Sequence, residues 1–249
     1  MAEIRHLPRA PITEALVDLR VQVPPGFSVE ALVRALDQRD NLGYTKKGAI
    51  VRGEFGFSLN VQQGSTAAGR ATSVGVRLHS ADEKYVAQLS VEGFTLSRLQ
   101  PYESWENLIH EAERLWAGYR ECLAVERIVR VATRYINNLR LPPTADWARF
   151  LNLLPMLPEG LPEAMSAFLQ RFVIHDGTSE ATVILTQALE AATSLERVLP
   201  VILDIDAFRG ETAFAPAEPE VWRYLEQLHA LKNRVFFGCL TDAAIELYL

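Results

Sequence analysis

The chain has 249 residues, 49% apolar and 22% charged, with a net charge of −6, which describes a folded protein with length enough for one large domain or two small ones sharing a sheet. That acidic balance argues against a generic, sequence-independent nucleic-acid binder, which needs a basic surface to neutralise phosphates. The longest apolar runs, such as Val198 to Ile205, are broken by Pro200 and Asp204 and are too short to cross a bilayer; the N-terminus carries no apolar signal segment, so a cytoplasmic location is expected.

Along the chain, Ala15, Val17, Leu19, Val21 and Val23 alternate with Glu14, Asp18, Arg20 and Gln22, the pattern of a half-buried strand. Pro24-Pro25-Gly26 ends it, and Ser28 opens a helix to Gln38 with Val29, Leu32, Val33 and Leu36 on one stripe. Three strands are expected next, around Val51 to Val61, Val74 to His79 and Tyr85 to Val91, with the small, polar stretch Gln62 to Thr72 as a loop. A long helix from Tyr102 to Leu123 follows, its stripe carrying Trp105, Leu108, Ala112, Leu115, Trp116 and Tyr119.

The order then repeats. Ala132 to Leu141 reads as a strand ended by Pro142-Pro143, a helix runs from Ala145 to Leu154, strands lie at Phe168 to His175, Ala181 to Leu189 and Val201 to Ala207, and a helix at Glu218 to Leu231 closes the chain; Pro155 to Pro162 is an insert. The expectation is an α+β fold of two β-α-β-β-β-α halves, residues 1–124 and 125–249, forming antiparallel sheet with helices on one face, as in saddle or helix-grip folds. The two halves can equally form one integrated domain.

If helices cover one face, the other carries the polar alternates Arg20, Arg52, Arg77, His79, Arg130, Arg134, Asn138, Arg140, Asp204 and Asp206. The rigid guanidinium fork suits carboxylate or phosphate, so an arginine-bearing sheet face is a platform for an anionic ligand or a protein partner; the competing reading is a solvated face of cross-strand ion pairs. Asp204-Ile205-Asp206 sets two carboxylates on one face of a strand, where they can hold magnesium for nucleotide or phosphoryl chemistry or pair with Arg130 and Arg134. The adjacent amides Asn137 and Asn138 place one amide on each face, and a buried one must find partners.

The five histidines are scattered, and Cys122 and Cys239 read as small buried hydrophobes. No nucleophile elbow, phosphate loop or dinucleotide fingerprint occurs, so no cofactor and no catalytic residue are assigned.

Four segments carry a resemblance. Ala10-Pro11-Ile12-Thr13-Glu14-Ala15, Tyr85-Val86-Ala87-Gln88-Leu89 with Gly93-Phe94 and Tyr102-Glu103-Ser104-Trp105-Glu106, Arg134-Tyr135-Ile136-Asn137, and Phe236-Phe237 with Leu240-Thr241-Asp242 together resemble a sporadically distributed prokaryotic family of similar length, mostly of uncharacterised proteins. Asn138 and Leu139 depart from the basic and apolar residues frequent there. The resemblance implies no activity, and its patchy distribution is that of accessory genes, including defence and toxin–antitoxin modules. The expected function is non-enzymatic: a binding or regulatory protein, antitoxin-like or defence-accessory, holding a protein or anionic partner on the open sheet face or an edge. The alternatives are the Asp204/Asp206 magnesium enzyme and a small-molecule receptor. Self-association through sheet edges is expected as well.

Overall fold

The structure, a computed structural model, describes residues 5–60, 64–143, 146–155, 157, 158, 160, 165–189, 198–217 and 219–249. Among the described residues there are nine strands, β1 (Ile12–Gln22), β2 (Thr45–Asn60), β3 (Gly64–His79), β4 (Tyr85–Ser90), β5 (Gly93–Leu99), β6 (Arg127–Leu141), β7 (Phe168–Asp176), β8 (Ala181–Leu189) and β9 (Leu199–Phe214). They form one antiparallel sheet in the order β2-β3-β4-β5-β1-β6-β9-β8-β7. β1 and β6 lie side by side at its centre, with Val17 opposite Thr133 and Ala15 opposite Tyr135.

The helices are α1 (Val29–Asp37), α2 (Trp105–Cys122), α3 (Glu220–Cys239) and the single turn α4 (Asp242–Ile245). α1 and α2 start on serine caps, Ser28 Oγ accepting from the Ala31 amide and Ser104 Oγ from the Asn107 amide. The buried stripe of α2 (Trp105, Leu108, Ala112, Leu115, Trp116, Tyr119) packs on the sheet face that carries Ala15, Val17, Leu19 and Phe94. Phe94 meets Trp116 edge to face at 5.7 Å, and each fully buried aliphatic chain in this layer contributes about 1.5–3 kcal/mol relative to exposure. α3 lies over β6 and β9 with Val221, Leu225, Leu228, Leu231, Lys232, Phe236 and Phe237 buried.

Two repeated β-α-β-β-β-α halves are not what the chain builds. One nine-stranded sheet dominates, and the segments flanking β1 and β6 differ. After β1 come a helix and four strands, because Gly93 to Leu99 adds β5, whose alternation is obscured in sequence by the inward Arg98 and the buried Ser97. Beyond β6 the expected helix is reduced to a 3-10 turn, Trp147–Arg149, while residues 144 and 145 lie outside the described residues. Backbone groups that a helix would have used internally bond the end of α3 instead: the Asn152 amide donates to Cys239 O at 2.8 Å, and the Thr241 amide to Phe150 O at 3.1 Å. The stretch expected as a loop, Gln62 to Thr72, is strand from Gly64 onward, paired with β2 from Asn60↔Gly64 to Thr45↔His79.

Among the described residues no helix is long and apolar enough to cross a membrane. Both cysteines are buried and unbridged, and burial pushes the Cys239 thiol up to about 11.

Candidate functional site

The face of the sheet opposite α2 and α3 has a charged centre. Asp18 on β1, only 5% exposed, is its hub: Arg130 Nη1 donates to Oδ1 at 2.9 Å, Arg20 Nε to Oδ1 at 3.2 Å and Thr95 Oγ1 to Oδ2 at 2.7 Å. The second fork nitrogen of Arg130 reaches Asp206 at 3.0 Å, and the Arg130 guanidinium lies 4.4 Å from the centre of the Phe208 ring. Arg134 grips Asp204 through two nitrogens at 2.8 and 2.5 Å. Asp18, Arg20, Thr95, Arg130, Arg134 and Asp206 line a depression of about 420 Å³ together with Leu16 and Gln88.

Three arginines face three aspartates there, so the local charge balances and each guanidinium already holds a carboxylate. Burial raises the Asp206 carboxyl pKa, against the pull of Arg130 and Arg134. The magnesium pair of the sequence reading is thus engaged on both members by arginine. Arg77, Asn138 and Arg140 occupy the same face by register, Arg77 level with Gln88 and Arg140 level with Pro200. Arg52 stands apart, beyond a bulge between Ile50 and Val51, and its fork is on Glu92 at 3.2 and 2.5 Å.

Towards β7 the same face carries exposed apolar side chains, with the polar row of Arg171, Thr186 and Asp204 between them. β7 is the last strand of the sheet and pairs with β8 alone among the described strands. Register sets Leu169 level with Ala188 and Ile202, and Val173 level with Ile184, giving two short apolar rows that run inward from the edge. Leu169 is 74% and Val173 57% exposed. Phe172 and Ile174, on the opposite face of β7, are exposed too. Sheet edges are normally blunted with charge, proline or a bulge; here Arg171 supplies a charge, but four large apolar side chains share the six positions 169–174 with it.

The helix-covered side holds a cavity of about 540 Å³, between the N-terminal segment, the start of α2 and α3. Lys232 lines it, 6% exposed, with Nζ 2.7 Å from Asn233 Oδ1 and 3.5 Å from the centre of the Tyr135 ring. Burial alone lowers its pKa to about 7. His229 stacks on Trp105 at 4.3 Å, and burial with the nearby Lys232 lowers its pKa to about 3. Tyr102 and Tyr135 share a hydroxyl hydrogen bond of 3.0 Å. Asn137, also on the wall, is buried and donates to Leu203 O at 2.9 Å.

Sequence reasoning singled out Asn137 but passed over Lys232. The signal was present, since Leu225, Leu228, Lys232, Phe236 and Cys239 follow helical spacing and place a lysine in an otherwise apolar stripe. Neither the family models nor the curated proteins compared with this chain match it.

Proposed function

We propose that the protein is a binding module that takes a protein partner on the β7 edge and the adjoining part of the open sheet face. The carrying observation is the pair of apolar rows, Leu169 with Ala188 and Ile202, and Val173 with Ile184, next to an edge that offers backbone hydrogen bonds to a further strand. An extended segment added there gains main-chain bonds along the edge, and its side chains cover the rows. The ion-paired cluster from Arg20 to Asp204 borders this patch and supplies the polar rim that protein interfaces place around an apolar centre. Because its charges are matched internally, the cluster contributes register and selectivity more than net attraction for an anion.

The test is affinity purification of the tagged protein from its native host, alongside the double variant Leu169→Lys/Val173→Lys. Both side chains face solvent, so the variant is expected to melt like the wild type while losing its stoichiometric partner. Retention of the same partner at the same level sinks the reading. Sedimentation of the purified chain separates the two sources of a strand: a monomer leaves a different protein as the partner, whereas a dimer broken by the lysines makes it a second copy.

A further inference from the structure

Among the described residues Lys232 is a buried amine without a counter-charge. No ion pair reaches it among the described residues, and its contacts are an amide oxygen and the face of an aromatic ring. A lysine in such a position is generally replaced by an apolar residue at no loss of stability, unless something supplies the missing anion. Instead it forms part of the wall of a 540 Å³ cavity, within the size range of small-molecule sites.

The rest of the wall narrows the ligand. Leu7, Ile12, Phe236 and Phe237 give the wall its aliphatic and phenyl surface. α2 presents its first turn to the same space, where amides without intrahelical partners favour negative charge. Two carboxylates line the cavity among the described residues: Glu103 accepts from Arg98 at 2.8 Å and Glu106 is exposed; Glu226, outside the wall, accepts from Trp105 Nε1 at 2.6 Å. These acids disfavour a multiply charged phosphate while leaving room for a single negative charge at the lysine.

We propose that this cavity binds a small organic acid, with its carboxylate on Lys232 Nζ and its apolar body against Phe236 and Phe237. Binding then requires the protonated amine. Since the free amine loses its proton near pH 7, a bound carboxylate restores the charge, and the complex takes up a proton at higher pH. His229 and the two tyrosines at this site do not mimic that behaviour. His229 is neutral throughout the neutral range, and Tyr102 and Tyr135 are pushed above their usual phenol range by burial. Arg5 and His6 lie on the exposed N-terminal segment.

Calorimetry with benzoate, phenylacetate, 4-methylpentanoate and octanoate tests the proposal, using phenylacetamide as the uncharged comparison. At least one acid should bind at up to millimolar concentration, roughly tenfold or more tighter than the amide, and its affinity should fall by about tenfold per pH unit above neutrality. Lys232→Met should erase the preference for acid over amide. Should that variant fail to fold, the pH profile of the wild-type protein decides alone. Failure of all four acids to bind, an affinity flat from pH 7 to pH 9, or an unchanged preference in folded Lys232→Met overturns the proposal.

Discussion

Lys232 projects from α3 onto the ring of Tyr135 in the central strand β6, its Nζ 3.5 Å from the ring centre. The contact joins the helical layer to the sheet through a cation–π interaction, which favours the charged amine, while burial opposes that charge.

The opposition has a consequence for stability. The amine's pKa is about 7 when folded and near 10.5 when unfolded, so from pH 7 to 10.5 the unfolded chain binds more protons and stability rises with pH. Below pH 7 the full penalty of the buried charge is present. Lys232→Met removes it, and urea denaturation at neutral pH should show a gain of about 1–4 kcal/mol, shrinking towards pH 10. A loss at neutral pH, with no change in the pH slope, contradicts the assignment.

Asp18 holds two arginines and a threonine from three strands while nearly excluded from water. Asp18→Ala removes the acceptor of Arg20, of Thr95 and of Arg130 Nη1, while Arg130 keeps Asp206 through Nη2, and should lower stability by roughly 1–3 kcal/mol. Glu92→Gln breaks the pair with Arg52, where both side chains are half exposed, and should change stability by less than about 1 kcal/mol. Denaturant titrations of the two variants side by side measure the contrast; equal effects would show that the central cluster is an ordinary surface pair.

Gly75 permits the close approach of β3 to β4. A Cβ there would stand 2.4 Å from Leu89 O and 2.8 Å from Ser90 Cβ. Backbone oxygen in a ladder cannot move aside without breaking strand pairing, so Gly75→Ala should cost about 1–3 kcal/mol. Gly177→Ala, in open space, should be neutral or slightly stabilising. Thermal melts of the two variants distinguish them.

How far the sequence foretold this structure depends on how local each signal was. β1, β8 and the stripe of α2 were readable because strict two-residue or helical periodicity matched burial, as at Ala15, Val17 and Leu19. β3 was not: its Gly-, Ser- and Ala-rich start has weak strand preference, and only the non-local partner β2 makes it a strand. The helix expected from Ala145 lost to tertiary bonds between residues 150–152 and the end of α3, which no local pattern encodes. Arg130 and Arg134 were placed on the open face by alternation, but their pairing with Asp206 and Asp204 required knowing that β9 lies next to β6. The apolar rows at β7 were hidden for the same reason, since Leu169, Ala188 and Ile202 come from three strands.

Strand addition at β7 would be read from backbone amide hydrogen exchange of Phe168 to Asp176, with and without the captured partner. Free protein should exchange rapidly at the amides on the outer edge and slowly at those bonded to β8. Complex formation should protect the outer amides by tenfold or more, and the protection should vanish in Leu169→Lys/Val173→Lys. A complex that forms while these amides exchange as fast as in the free chain would contradict the account.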